Sequence, residues 1–245
     1  MAVKFNTKLM SEQKDCWASF MAFIGKRETS NWMFRGQGAV SWPLRPKVGR
    51  AQSCPVGKYN PLYEKRIFDT FKRRARGYGN ISVASDWEML AIAQHHGLPT
   101  RLLDWTSNPL VAAYFAVKSH DDAGLTEAAA IHAIKIGKAL ILRTEDEPDP
   151  FLVEDVKFVV PSTSDARLVS QRGFFTIHGK PDEDWPLTKM EENRFEIPPQ
   201  HVPYFRKKLF YLGIDPSHIM ADLDGLCETL SWQYRRGIAV GDVSY

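Results

Sequence analysis

Apolar positions along this chain recur with a helical period in some stretches and alternate in others, and the changes of period mark its elements. Between residues 11 and 27, Cys16, Trp17, Phe20, Phe23 and Ile24 fall at helical spacing, which predicts a packing helix with Ser11 as its cap. Residues 31–38 read as a strand interrupted by Gly36 and Gly38. Residues 39–60 carry three prolines and are expected to be irregular, a loop long enough to suggest function or mobility. Pro61 opens another helix, with Leu62, Ile67, Phe68 and Phe71 predicted inward and basic residues outward.

The densest pattern lies in residues 85–118, SDWEMLAIAQHHGLPTRLLDWTSNPLVAAYFAVK. Ser85 and Glu88 stand at capping-box spacing before an apolar run, and Gly97 is placed to end that helix. Pro99 excludes helical geometry at Leu98, so residues 100–106 read as a short strand. Ser107 or Asn108 can then cap a second helix with Pro109 at its first position. The joints of this helix–strand–helix unit hold Gln94, His95, His96, Thr100, Arg101, Asp104, Thr106 and Ser107.

Further strands are predicted at 128–136, 156–160 and 173–178, with one helical turn from Asp165. Residues 195–197 lead through two prolines into a helix over 202–212, and a last helix starts at Asp215 or Ser217 and runs to Trp232. Helices first, then short strands interleaved with helices, imply an α+β domain with a small mixed β-sheet and flanking helices. The whole chain, 1–245, is expected to form one domain, with 1–30 as a helical extension.

Composition narrows the class. With 44% hydrophobic and 25% charged residues the chain is an ordinary globular sequence. Three widely spaced cysteines form no metal pattern and cannot all pair, which points to a reducing cytoplasm. No apolar run has signal-peptide or membrane-spanning length, so a membrane role is not expected. The net charge of +3 is small but unevenly placed. Lys58, Lys65, Arg66, Lys72, Arg73, Arg74 and Arg76 crowd one segment, either a solvated helix face or a surface for phosphate-bearing partners.

Arg35 is the first candidate for chemistry. Its planar fork suits a phosphate or carboxylate, and Gly36 beside it would let a ligand approach the backbone. A salt bridge to Asp104 or Glu88 is the structural alternative. Asp104, expected to be partly buried, would by the same logic pair with Arg35 or Arg101. His95 and His96 point about 100° apart on a helix, so one imidazole at most faces a common site. They lack the spacing of a metal site, and no metal is expected. Ser107, His95 and Asp104 form a nominal nucleophile set without a G-x-S-x-G elbow. Glu88, Asp104 and His95 would serve a phosphoryl-transfer enzyme, again without a metal cluster.

Phe34-Arg35-Gly36 together with the run AQHHGLPTRLLDWTSNPLVAAYFA resembles the FRG domain, a family named for that tripeptide. Two further pieces are similar, Arg167-x-x-x-Gln171-x-Gly173-x-Phe175 and the run from Ala221 to Leu226, so the resemblance extends from about Trp32 to Trp232. The same residues also resemble the ADP-ribosyltransferase superfamily. There a first strand ends in an arginine motif, like Phe34-Arg35-Gly36. A second carries a Ser-Thr-Ser-like motif before a helix, like Trp105-Thr106-Ser107, and a third carries a glutamate motif that falls here on Gln171-Arg172-Gly173. Gly173 stands where the catalytic glutamate would be.

This second resemblance implies a transferase-like fold with NAD as substrate. Arg35 would bind the phosphates or ribose, Ser107 would brace the nicotinamide side, and Gln171 would face the acceptor. Asp104 or Glu88 would replace the missing negative charge, with His95 as a further catalytic candidate. Gly36, Gln94, His96, Arg101 and Thr106 are expected among the dinucleotide contacts. The family resemblance further implies a macromolecular acceptor (RNA, DNA or protein), a toxin or phage-defence setting, and an antitoxin or chaperone partner. The competing expectation is a binding module of the same fold that holds a nucleotide or nucleic acid without chemistry.

Overall fold

The computed structural model describes residues 7–27, 31–75, 77–78, 85–159, 173–186 and 193–238, with the main chain alone at 122 and 123. The described residues form an α+β structure around a seven-stranded mixed sheet. The first helix, α1 (Thr7–Gly25), starts before the predicted cap, so Ser11 lies inside it. Its first turn is good helix-forming sequence supported by an exposed Lys8–Glu12 pair, and it needs no cap at Ser11. Strand β1 (Trp32–Gln37) and helix α2 (Pro61–Ala75) follow, separated by a loop of short 3₁₀ turns.

The inward face of α2 differs from the prediction. Leu62 and Ile67 are exposed, whereas Glu64, Phe68 and Ala75 are buried. The buried stripe keeps helical spacing, but one of its members is a carboxylate. Glu64 accepts from the Arg101 guanidinium at 2.9 and 2.6 Å and from the Tyr59 hydroxyl at 2.5 Å. Counting apolar residues alone misplaces such a face, because a bidentate, fully hydrogen-bonded pair can be buried as a unit.

The central unit forms as its caps dictate. Helix α3 (Asp86–His95) is capped by Ser85, whose Oγ accepts from the Glu88 N–H at 3.2 Å, and Gly97 ends it at a φ of +84°. Strand β2 (Leu102–Thr106) leads into α4 (Pro109–Ala123), and Asn108, not Ser107, is the cap, its Oδ1 accepting from the Leu110 N–H at 3.0 Å. Strands β3 (Ala129–Lys135), β4 (Ile141–Leu142), β5 (Lys157–Val159), β6 (Gly173–Ile177) and β7 (Arg194–Ile197) complete the sheet. β7 was expected only as a lead-in, yet it pairs with β3 at the sheet edge. The turn predicted at Asp165 lies outside the described residues.

Helices α5 (Val202–Tyr211), α6 (Pro216–Met220) and α7 (Leu223–Arg236) end the described chain. The single final helix of the prediction is therefore two. Ala221 turns left-handed at a φ of +53°, and Asp222 starts α7 by accepting from the Gly225 N–H at 2.7 Å.

The strand order is β4-β5-β6-β2-β1-β3-β7, parallel between β4 and β5 and antiparallel elsewhere. One apolar core joins α1, α4 and α5 to β1 and β3 around Phe20, Phe34, Ile131 and Phe205. A second lies between α2, α3 and β6, and a third covers the opposite sheet face around Leu103, Trp105 and Ile134. The helix α4 lies directly on β1: a Cβ at Gly36 would stand 1.9 Å from the Ala112 carbonyl oxygen, and one at Gly38 2.7 Å from Ser119. Both glycines of the Phe-Arg-Gly-Gln-Gly run thus admit the helix backbone. Gly36 therefore has a packing role beside the one expected in ligand approach, and it also lines the main cleft.

Candidate functional site

The pairing of the two middle strands locates the main cleft. β1 is in register with β3 from Trp32↔Lys135 to Gln37↔Ala130, and β2 with β6 from Leu102↔Ile177 to Thr106↔Gly173. β1 and β2 are in register only at Phe34↔Thr106. Beyond that point they part, and a cleft of about 250 Å³ lies there. Arg35 and Asp104 come to it from the two parting strands, and Gln94 and His95 from the end of α3. Its walls are one face of α4, with Phe115 and Ser119, and the start of β6, with Phe174 and Phe175.

Arg35 is largely buried, its side chain 13% exposed. Its Nη1 donates to the Asp104 carbonyl oxygen at 2.8 Å and lies 3.8 Å from the carboxylate Oδ2. Its Nε is buried without an acceptor among the described residues. Burial lowers its pKa to about 10, with Asp104 acting upward and Arg50 downward. A guanidinium with an unused buried donor is a binding group with capacity left for an oxygen ligand.

Asp104 is more exposed than expected, at 58% of its side chain, but it is held firmly. Gln94 Nε2 donates to both carboxylate oxygens at 3.1 and 3.0 Å. The Gln94 Oε1 in turn accepts from the Thr100 hydroxyl at 2.6 Å, and that hydroxyl accepts from the Leu102 N–H at 3.2 Å. A relay from the β2 backbone through the end of α3 therefore fixes the carboxylate over the cleft.

The other predicted residues divide. His95 lines the cleft, while His96 is exposed, its ring edge-on to His95 at a centroid distance of 5.0 Å. Thr106 lines it too, and its hydroxyl accepts from the Asn108 N–H at 3.0 Å. Ser107 is half-buried at the next position, and its residue is not part of the cleft wall. Glu88 lies in a separate small recess with Ser85 and Trp87. Arg101 is corrected: it is 3% exposed and committed to Glu64 and Tyr59, with the Phe151 ring 4.6 Å away, so it neither reaches the cleft nor pairs with Asp104. Gln171 lies outside the described residues. Gly173 does sit at the cleft, and it brings no carboxylate there. Among the described residues no group of three or more His, Cys, Asp or Glu could hold a metal ion.

Several contributors were not anticipated. Arg50, from the proline-containing loop, is close enough to act on Arg35, and burial lowers its own pKa while Asp104 raises it. Only the length of that loop hinted at it. On the Arg35 side of the sheet, His132 is its cross-strand neighbour and is bonded through Nε2 to Gln37 Oε1 at 2.8 Å. His178 is bonded to the Thr176 hydroxyl at 3.0 Å, which also accepts from the Trp105 indole at 3.0 Å. Burial, reinforced by the Arg35 charge, lowers His132 to about 4 and His178 to about 3, so both are neutral near pH 7. Two neutral rings near enough to feel Arg35 add no positive charge beside its own.

Comparison with curated proteins and with solved structures found no match for the chain. The family model of the FRG domain matches residues 30–124, which run from the entry to β1 to the glycine that ends α4. The resemblances at 167–175 and 221–226 lie beyond that match. The FRG domain model thus matches the segment, residues 30–124, that supplies Arg35, Gln94, His95, Asp104 and Thr106 to the cleft.

Proposed function

We propose that the chain is an NAD-using enzyme of the ADP-ribosyltransferase type that modifies a macromolecule. One observation carries the reading: Arg35, with a buried unused donor, and Asp104, with both oxygens held by Gln94, face one cleft from two parting strands. The cleft volume falls just short of the range of roughly 300–1,000 Å³ typical for small-molecule sites. It suits one end of a dinucleotide, with the remainder along the open side. Arg35, with Arg50 nearby, would take phosphate oxygens, and Phe115, Phe174 and Phe175 would flank a flat ring.

In the chemical step the bond between ribose C1 and nicotinamide breaks, and the bonding pair leaves with the nicotinamide. Positive charge develops on the ribose, and the Asp104 carboxylate is the fixed negative group that would stabilise it. An acceptor nucleophile forms the new bond at C1 and loses its proton, for which His95 is the base at hand. The toxin or phage-defence setting rests on the family resemblance alone.

The test is nicotinamide release from NAD by pure protein, with and without cell RNA and protein. Asp104→Asn should lower turnover by about a hundredfold with NAD affinity kept, and Arg35→Lys should weaken NAD capture. Wild-type protein that neither binds NAD nor releases nicotinamide refutes the proposal. A second reading, a nucleotide-binding module without chemistry, is favoured by Gly173 at the position where the superfamily carries its glutamate. Binding of NAD without release would select it.

A further inference from the structure

Helix α7 presents an apolar seam to solvent. Leu223 is 72% exposed, Leu226 43%, Leu230 38% and Tyr234 86%, and Cys227 is exposed among them. At 100° per residue, Leu223, Cys227, Leu230 and Tyr234 fall within about 60° of one another, a single line about 17 Å long. The opposite face is fully engaged. A Cβ at Gly225 would stand 2.5 Å from the Pro216 carbonyl oxygen, the Thr229 hydroxyl accepts from the Ser217 N–H at 3.0 Å, and Trp232 packs on Phe210 at 4.9 Å. With Glu228 also paired to Lys118, α7 is fixed in one rotation about its axis, and the seam points outward by construction.

The charges beside the seam decide what covers it. Asp224 stands near the start of α7 and Arg235 near its end, both exposed, on the same flank and without an ion-pair partner among the described residues. Parallel two-fold packing against a like helix would put the two copies of this flank on opposite sides of the interface, so neither Asp224 nor Arg235 would meet an opposite charge from it. Two-fold antiparallel packing sets Leu223 against Tyr234 and Cys227 near Leu230, and brings Asp224 within about a turn of Arg235 of the second copy. The sequence is thus complementary to itself in one orientation. We propose that α7 is a homodimer interface in which two copies pack antiparallel along this seam.

Sedimentation velocity at about 100 µM, where an interface of this kind is populated, should give the dimer mass. Leu230→Glu should raise the dissociation constant by more than about tenfold, and Tyr234→Glu should weaken the dimer too with an unchanged melting temperature, since Tyr234 is 86% exposed in the monomer. Asp224→Arg should weaken the dimer, and the double exchange Asp224→Arg with Arg235→Asp should restore it. A short bis-maleimide should cross-link two copies through Cys227, and not in Cys227→Ser. A monomer at every concentration overturns the proposal, including one that instead recruits a different protein to the seam. So does a dimer that survives Leu230→Glu, or a double exchange that fails to restore what Asp224→Arg removes.

Discussion

Replacing Gly36 by alanine separates two uses of the glycine that follows Arg35. The added Cβ would meet the Ala112 carbonyl oxygen at 1.9 Å and the Ala116 nitrogen at 2.5 Å, both main-chain atoms of α4. Neither can rotate away, so the helix must retreat by about 1.5 Å to reach ordinary contact. Overpacking of this kind costs about 3 kcal/mol, the upper end of its usual range, because the clash is with backbone. In a chain of this length that lowers the melting temperature by about 6–12 °C. Gly124→Ala is the comparator. Nothing lies within 4 Å of its Cβ position, and only its φ of +59° opposes the change, at about 1 kcal/mol. Calorimetric melting of both variants decides the matter. Gly36→Ala melting within about 2 °C of Gly124→Ala would refute the packing argument and leave the place of Gly36 in the cleft wall as its one use.

Three further outcomes are expected. Glu64→Gln strands Arg101 in a buried site and should cost about 3–5 kcal/mol in urea unfolding, whereas replacing both partners by apolar residues should cost much less. His132 and His178 have folded pKa values of about 4 and about 3, below the ordinary 6.5, so the stability they contribute is complete above pH 6.5 and falls as pH drops toward those values. By pH 5 each should have cost about 2 kcal/mol, and a His178→Asn variant with the same pH slope as wild type would contradict this. On α2, Lys65 lies 3.8 Å from Asp149 and Lys72 is paired with Asp86, while Arg66, Arg73 and Arg74 are exposed. If that face meets nucleic acid, reversing these three arginines should weaken binding at low salt and flatten its salt dependence, and an unchanged slope leaves it a solvated surface.

What the sequence revealed was local. Ser85, Gly97, Asn108 and Pro109 fix their helix ends through contacts within a few residues, and those ends stand where the spacing put them. Arg35 and Asp104 were legible as candidates because a charged residue in an apolar strand needs a reason. What the sequence hid depends on contacts distant in the chain. The burial of Glu64 is set by Arg101, the pairing of β7 by β3, and the nearness of Arg50 to Arg35 by the course of a loop without periodicity. Arg101 looked like Arg35 in sequence, a charge at a strand end, and only the carboxylate waiting on α2 separates the two roles.

The single register pair between β1 and β2 has a mechanical consequence. Phe34↔Thr106 divides the sheet into a half of β4, β5, β6 and β2 and a half of β1, β3 and β7. Beyond that pair, the Arg35 guanidinium bonds the Asp104 carbonyl oxygen and does there what a backbone N–H of a neighbouring strand does in an unbroken ladder. One side chain is therefore both a crossbar between the halves and the owner of a buried donor left over in the gap. A ligand held by Arg35, as proposed, would compete for the bond that spans the gap, and its occupancy and the width of the opening would then be tied to one contact.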